Sequence, residues 1–248
     1  TGDKNIHNNK YASVTQNDSV KNKIAEIDSQ YTEHTYPEKN KDYKVTITGK
    51  CTEIYNGDEI NDNILEIIQW GETGLEEVCL EYCTKLRKIA SPTEKSFEKI
   101  TDFSFGFYRC ESLTSIPEKL FANCPNVTDF TLTFEYCTSL TSIPEDLFAS
   151  CPNVKTFLKT FGGCTSLTSI PENLFANCLK VTNFVGTFYE CTGLTGEPIK
   201  LWERVQNGST NDYKGRPDGG GCYYNATGLN NYENIPEYWR SEIGGEDT

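Results

Sequence analysis

The sequence predicts an α/β solenoid of 27-residue coils, with short parallel strands and short helical turns, preceded by a small N-terminal β cap. Residues 137–151 (CTSLTSIPEDLFASC) recur almost letter for letter at 164–178 (CTSLTSIPENLFANC). Cysteines recur every 27 residues in two series, Cys83, Cys110, Cys137, Cys164 and Cys191, and Cys124, Cys151 and Cys178. A fixed period of this length is typical of a solenoid, whose coils stack matching side chains in columns.

Apolar residues keep the same 27-residue frame, which predicts the core. Leu and Ile follow the first-series cysteines at three and six positions, and Phe follows at 11, 20 and 24 positions. The LTSI segments, rich in Thr and Ile and bounded by Pro, predict short strands. The PExLFAxC segments, with Pro in a first helical position, predict one short helix per coil. The NVTxF segments predict a second extended stretch.

The cysteine columns admit three interpretations: a disulfide framework, a metal site or core packing. Core packing is favoured, because the columns also accept Phe97, Val205 and Ala226, which share no chemistry with a thiol except an apolar surface. The total of 11 cysteines is odd and no CxxC pair exists. We therefore predict reduced, inert thiols and neither a metal nor a cofactor.

Composition excludes several classes of function. The net charge of −13 disfavours nucleic acid as a partner, because phosphate binding needs clustered Lys and Arg. His7 and His34 are the only histidines, which leaves few nucleophile–base pairs or zinc sites. No apolar run reaches the length of about 18 residues that a membrane span needs. We therefore predict no catalytic residue and no enzymatic activity.

The units NVTDFTLTFEYCTSLTSIP and CTSLTSIPENLFANCP resemble the BspA-like leucine-rich repeats of bacterial cell-surface proteins. The similarity covers roughly residues 64 to 239. It implies a leucine-rich-repeat solenoid displayed on the bacterial surface, in a family associated with adhesion and with host or matrix binding. It does not imply a particular ligand, because the shared columns are core columns.

The ends of the array lead to a division into five segments. Residues 1–42 are predicted as a polar tether with a short helix, N-capped by Asp18 or Ser19, with its apolar stripe at Val20, Ile24, Ile27 and Tyr31. Residues 43–78 form the β cap, 79–205 the solenoid, 206–221 a Gly-rich inserted loop, and 222–248 a C-terminal cap. Ile235, Pro236 and Trp239 are predicted to close the array.

Partner binding is assigned to positions that vary while the core columns do not. Pairs of variable residues precede each first-series cysteine, and a polar loop interrupts the last coil. Aromatic and Arg side chains are enriched at protein interfaces. The candidate residues are Tyr108, Arg109, Tyr136, Tyr189, Tyr213 and Arg216.

Two other columns receive structural interpretations. Glu118, Glu145 and Glu172 form a carboxylate column that would suit calcium, but each residue is predicted to complement the dipole of its own helix. The hydroxyl columns, which include Thr114, Thr141 and Thr168, suit a glycan or crystal surface but equally an exposed strand.

The main functional hypothesis is a non-enzymatic, surface-displayed module that binds a protein or glycan on a host or in the envelope, anchored at the outer membrane after removal of a leader. The alternative is a lipoprotein-like accessory subunit of an outer-membrane uptake or envelope complex, attached to that membrane-anchored complex through the N-terminal segment.

Overall fold

The computed structural model describes residues 12–18, 21–27, 47–48, 53–55, 64–67, 69–70, 75–204 and 216–243. Its strands are β1 Ala12–Asp18, β2 Lys21–Ile27, β3 Ile47–Thr48, β4 Glu53–Tyr55, β5 Glu66–Ile67, β6 Glu77–Cys79 and β7 Lys88–Ile89. Two 3-10 helices, Leu201–Glu203 and Tyr232–Asn234, precede a single α-helical turn, α1 Glu237–Arg240. None of the helices in these residues has the length and apolar character of a bilayer span.

The N-terminal part of the chain forms a three-stranded antiparallel sheet of order β2-β1-β3. The predicted helix beginning at Asp18 or Ser19 is therefore wrong over Lys21–Ile27: this segment is a strand that pairs antiparallel with Ala12–Asp18. A helix this short depends on tertiary packing more than on its apolar spacing. Both strands contain β-branched residues, among them Val14, Thr15 and Ile24, which favour an extended backbone.

The strands that precede the array pair with its first coil in parallel. Strand β4 pairs with β6, and β5 pairs with β7, with Ile67 opposite Ile89. Parallel pairing extends the stack of coils by one layer and covers its first apolar face. Trp70 completes this layer: it is buried, its indole Nε1 donates to the Ala90 carbonyl at 2.7 Å, and its ring meets Phe97 edge-on at 4.9 Å.

Successive coils are joined by a backbone ladder on the segment before each first-series cysteine. Alternate N–H groups donate to the carbonyl 26 residues later: Leu132 to Leu158 at 2.8 Å, and Tyr136 to Gly162 at 2.7 Å. The intervening N–H groups turn back three residues, as Glu135 does to Leu132 at 3.2 Å. Each segment therefore satisfies its backbone donors both within the coil and between coils.

This ladder needs a left-handed backbone at two positions per coil. Leu132 and Tyr136 both have φ of 59°. The same positions in the other coils also have positive φ: Phe105, Arg109, Lys159, Gly163, Gly186, Glu190, Gly221 and Asn225. A non-glycine residue in this region costs about 1 kcal/mol, so the stack of coils must over-determine the conformation.

The predicted elements of each coil need correction in two places. The LTSI segments contain no strand in the described array, and neighbouring copies share one backbone bond, such as Thr168 N–H to Thr141 O at 3.3 Å. The PExLFAxC segments are successive turns closed by bonds to the third preceding residue, as from Leu120 to Pro117 at 3.0 Å. Six residues between Pro and Cys are too few to recover the cost of nucleating an α-helix.

Three columns of phenylalanine form the spine of the core. Phe107, Phe134, Phe161 and Phe188 lie nearly parallel, with ring centroids 5.3 to 5.7 Å apart. The other two columns, Phe103–Phe130–Phe157–Phe184 and Phe121–Phe148–Phe175, stack in the same way and meet each other at tilted angles. All of these rings are buried, so the solenoid prediction is confirmed in its main feature.

The cysteines fill the core as predicted, but their sulfurs are also hydrogen-bond donors. Ten cysteines from Cys79 to Cys222 are unbonded to one another and buried. Within the first series, Cys164 Sγ donates to the Phe134 carbonyl at 3.2 Å and Cys191 Sγ to that of Phe161 at 3.0 Å. Burial raises the pKa of Cys83 and Cys191 to about 12, so their thiols stay protonated. Cys51 lies outside the described residues.

Threonines form a buried hydroxyl column that the sequence interpretation missed. Thr133, Thr160 and Thr187 are fully buried, and the Thr160 hydroxyl donates to the Phe130 carbonyl at 2.7 Å. Cys79 and Cys222 occupy the same column at the two ends of the array. Each hydroxyl donates to a phenylalanine carbonyl of the preceding coil and thereby joins two coils.

The C-terminal end is closed by aromatic side chains. Ile235 and Trp239 are buried, as predicted, whereas Pro236, which was also predicted to close the array, is exposed. The Trp239 ring occupies the space beside Gly219, where a side-chain carbon would lie 2.1 Å from it. Tyr223 ends a phenylalanine column at 5.8 Å from Phe188, and its hydroxyl donates to the Ile199 carbonyl at 2.7 Å.

Thr160→Val tests the buried hydroxyl column, because it keeps the side-chain volume and removes one donor between coils. We expect it to lower the free energy of unfolding by about 1 to 2 kcal/mol, measured by urea denaturation. The matched control is Thr168→Val, whose hydroxyl donates to the Thr141 carbonyl at 3.2 Å but is exposed to water. Equal stabilities of the two variants would contradict a structural role for the buried hydroxyls.

Candidate partner-binding edge

Tyrosines line one edge of the solenoid, at the two positions that precede each first-series column. This tyrosine edge consists of Tyr82, Tyr108, Tyr136, Tyr189 and Tyr224, all half-buried. The backbone places them there: Phe107 and Cys110 point into the core, so the two residues between them face outward. The residue immediately before each cysteine has a left-handed backbone, as Arg109 does. The turn it makes lets Phe107 and Cys110 both point into the core.

Arg109 is the centre of the first half of the edge. Its guanidinium carbon lies 4.6 Å from the ring centroid of Tyr136 and 5.6 Å from that of Tyr108. Its Nε donates to the Tyr108 hydroxyl at 3.2 Å, and Glu111 lies 3.8 Å from a terminal nitrogen. The Arg109 side chain remains 40% exposed. The Arg109 guanidinium is therefore held over two phenol rings by cation–π contacts while it stays accessible to a partner.

The aromatic contacts continue on both sides of Arg109. Tyr82 meets Tyr108 edge-on at 5.3 Å, and Tyr108 meets Tyr136 at 6.1 Å. Phe105, which is 39% exposed, packs edge-on against Tyr108 at 5.7 Å. Rings that fix one another in this way lose little conformational entropy when a partner binds.

Glu135 is a buried carboxyl directly beneath this surface. Its side chain is 6% exposed, and the Lys159 ammonium, 3.9 Å away, is its one ion-pair partner among the described residues. Burial raises the pKa of Glu135 to about 7, while the charges of Lys159 and Arg109 offset only part of this effect. The carboxyl therefore changes its charge close to neutral pH.

Gly162 and Gly163 leave space for two side chains of the preceding coil, Glu135 and Tyr136. A side-chain carbon on Gly163 would lie 2.5 Å from the Tyr136 ring, and one on Gly162 would lie 3.4 Å from Glu135. Gly163 also has φ of 68°. The two glycines thus set the positions of Tyr136 and Glu135, although neither contributes a side chain.

The second half of the edge has a different charge. Tyr189 and Tyr224 stack at 4.8 Å with an interplanar angle of 22°. Glu190 occupies the position that Arg109 has three coils earlier, so a carboxylate replaces a guanidinium beside the tyrosines. Burial, followed by the nearby charge of Glu190, raises the pKa of Tyr189.

The predicted binding residues fall into three groups. The structure brings Tyr108, Arg109 and Tyr136 together, with Tyr189 farther along the same edge. Arg216 is exposed but lies at the opposite end of the last ladder segment from Tyr224, and Tyr213 lies outside the described residues. Their role in binding stays a prediction for all six residues.

Sequence reasoning missed several members of the edge. Tyr82 and Tyr224 share the columns of Tyr136 and Tyr189, so the alignment of the repeats contained the signal for both. The buried state of Glu135 had no such signal, because it depends on the side-chain space left by Gly162 in the next coil.

The carboxylate and hydroxyl columns have structural partners. Glu145 accepts a hydrogen bond from Asn173 at 3.1 Å and is exposed. The predicted helix-dipole role is wrong, since these segments are turns. The Thr141 hydroxyl donates to the Thr114 carbonyl of the preceding coil at 3.3 Å. Across the described residues there is no group of three or more His, Cys, Asp or Glu side chains suited to a metal ion.

Gly163→Ala tests how the edge is positioned. We expect it to displace the Tyr136 ring from Arg109 and to lower stability by more than the backbone cost of about 1 kcal/mol. Gly196→Ala is the matched control, because Gly196 has φ of 82° and open space around it. Urea denaturation and the NMR shifts of Tyr136 measure both effects. An unmoved Tyr136 ring in Gly163→Ala would refute this packing.

Glu135→Gln tests the buried carboxyl. Its pKa is raised from 4.5 to about 7, so the folded state binds the proton more tightly than the unfolded state. The stabilising effect is complete below pH 4.5 and is lost as pH rises through 7. We expect Glu135→Gln to remove this loss and to be more stable than the unmodified protein at pH 8 by about 1 to 3 kcal/mol.

The control for this pH dependence is Glu111→Gln, because Glu111 is 45% exposed. Its denaturation midpoints between pH 5 and pH 8 should follow those of the unmodified protein. A Glu135→Gln variant whose midpoints also follow the unmodified curve would contradict the raised pKa.

Comparison with known proteins gives one match. Residues 73–195 match a family described as a BspA type leucine-rich repeat region, in six copies. Neither a curated protein nor a solved structure matches the chain. The match covers the coils that carry Tyr82, Tyr108, Arg109, Tyr136 and Tyr189. Proteins built from such repeats generally serve as protein-interaction modules.

Proposed function

Because residues 73–195 belong to the BspA-type leucine-rich-repeat family, we propose that the chain is a non-enzymatic binding module displayed on a bacterial surface, and that it binds its partner through the tyrosine edge. The partner is a protein of a host, of the extracellular matrix or of the cell envelope. A surface glycan is the second type of ligand that stacked phenol rings suit.

The observation that carries this proposal is the cluster of Tyr108, Arg109 and Tyr136. Tyr and Arg are the residues most enriched among those that dominate binding energy at interfaces. Here their rings and guanidinium are fixed by one another, half-exposed, and supported by glycines from the next coil. Such a surface presents hydrogen-bonding hydroxyls and apolar ring faces at a low entropic cost.

The state of the cysteines supports a passive role. A catalytic thiol needs a depressed pKa and access to solvent. In this chain, burial raises the pKa of Cys124 and Cys178 to about 12, and both sulfurs lie in the core. The chemistry available on the edge is that of recognition: cation–π contacts, hydrogen bonds and ion pairs.

A second candidate function is an accessory, lipoprotein-like subunit of an outer-membrane uptake or envelope complex. The sheet of β1, β2 and β3 favours it, because it sets a separate folded segment before the array. In that case the N-terminal segment would attach the chain to the complex. Native pull-down separates the two candidates: a stoichiometric membrane partner that is lost on deleting residues 1–40 supports the second.

Tyr136→Ala and Tyr189→Ala test the proposed function. The unmodified chain is screened against matrix proteins and host-cell glycans by surface-immobilised binding, and the variants are measured against the ligand found. We expect at least tenfold weaker binding for each, because a truncated interface Tyr loses about 2 kcal/mol when it is a dominant contact. Ser142→Ala, in the exposed hydroxyl column, is the control. Unchanged affinity in both Tyr variants, or no saturable ligand, refutes the proposal.

A further inference from the structure

Glu190 presents a carboxylate on the tyrosine edge that no cation of the described residues neutralises. Its side chain is half-buried, and it makes neither an ion pair nor a side-chain hydrogen bond within the part of the chain that the structure describes. It directly follows Tyr189, and its backbone N–H donates to the Tyr224 carbonyl at 2.8 Å; after burial, its charge contributes to raising the pKa of Tyr189. A half-buried carboxylate without a cation beside it attracts a positive group.

The other half of the same edge shows how such a group is held. Arg109 places its guanidinium 4.6 Å from the centroid of Tyr136, bonds the Tyr108 hydroxyl through Nε, and has Glu111 at 3.8 Å. One basic side chain thus satisfies a ring face, a phenol oxygen and a carboxylate. Around Tyr189 and Tyr224 the ring faces, the phenol oxygens and the carboxylate are present, but Glu190 stands in the column of Arg109.

From this comparison we propose that Tyr189, Glu190 and Tyr224 form a site for a lysine or arginine side chain of the partner protein. The proposal rests on the proposed function and specifies its ligand chemistry. The basic group lies against the stacked phenol rings, which favour cations by their quadrupole, and pairs with the Glu190 carboxylate. The partner therefore contributes at this site the residue type that Arg109 contributes within the chain.

The charges around the site favour a basic partner. Glu242 lies near Tyr189 and adds a second carboxylate. Lys159, in the preceding coil, lies 3.9 Å from Glu135 and is paired with it. The chain as a whole carries a net charge of −13, which steers a basic segment toward it and accelerates association. An acidic partner would meet like charge both at the site and at a distance.

The glycines and the C-terminal segment make the site rigid. Ile243 occupies the space beside Gly186 and Gly221, where added side-chain carbons would lie 2.9 and 2.5 Å from it. Gly186 in turn lies under Tyr189, whose Cβ is 3.6 Å from the same position. The backbone of Glu190 is tied to the next coil, since its N–H donates to the Tyr224 carbonyl at 2.8 Å.

The test uses the full chain with ¹³C-labelled tyrosine rings and N-acetyl-arginine amide as the probe. Ring signals of Tyr189 and Tyr224, assigned from their Phe variants, are followed by NMR during titration. We expect saturable shifts of these two rings, weakened by salt, and much smaller shifts with the neutral probe N-acetyl-glutamine amide. Glu190→Gln should weaken binding at least fivefold, whereas Glu172→Gln, an exposed carboxylate in the turn column, should leave it unchanged.

Three results would overturn the proposal: no shift at Tyr189 or Tyr224, equal effects of the arginine and glutamine probes, or equal affinity of the Glu190→Gln and Glu172→Gln variants. The probe is measured without a protein partner. Failure of this titration therefore refutes the basic-side-chain site alone, while failure of the ligand screen refutes the surface-binding function alone.

Discussion

The in-register ladder between coils is the constraint on which the rest of the molecule depends. Alternate N–H groups of each segment before a cysteine donate to the next coil, so identical columns are brought into contact along the whole array. The phenylalanine rings then stack nearly parallel at 5.3 to 6.0 Å, and the thiols of Cys110, Cys137, Cys164 and Cys191 donate to carbonyls of the preceding coil. Loss of register in one coil would break all of these contacts together.

The same ladder explains why the edge is free to vary. The backbone of each segment is fixed by bonds that do not involve side chains, and the inward positions are occupied by Phe, Thr and Cys. The two residues before each cysteine therefore need not contribute an apolar side chain to the core. This freedom allows Tyr, Arg, Glu or Gly in the same column, and it allows a glycine in one coil to accommodate a ring from the preceding coil. Recognition is thereby separated from stability along most of the edge.

Glu135 is the exception to this separation. Its carboxyl lies under the edge, is almost completely buried, and changes charge near neutral pH. Burial of this carboxylate lowers the stability of the array. Lys159 and Arg109 offset part of this effect, and both are exposed on the edge. A partner that engages either cation acts on the same electrostatic balance, so binding and the protonation of Glu135 are thermodynamically linked.

The repeat made the solenoid and its core columns predictable, because a column of identical residues has one simple packing solution. The elements within a coil were less predictable. LTSI was expected to be a strand and PExLFAxC a helix, yet the left-handed residues Leu132 and Tyr136 place the main ladder elsewhere. No propensity indicates a positive φ at Leu or Tyr; it follows from the stack of coils. Likewise, the sequence predicts that Tyr136 lies on the edge. Its contact with Arg109 depends on the missing side chain of Gly163, whose place the Tyr136 ring occupies.

Site-resolved alkylation of the native protein tests the central claim of a dry, in-register spine most directly. Iodoacetamide labelling, quantified by mass spectrometry, reports the access of water to each sulfur. We predict that the ten cysteines from Cys79 to Cys222 are labelled only at the rate of global unfolding, and that all react together once the protein is denatured. Rapid labelling of a cysteine within the array, or recovery of paired, oxidised sulfurs, would contradict the account.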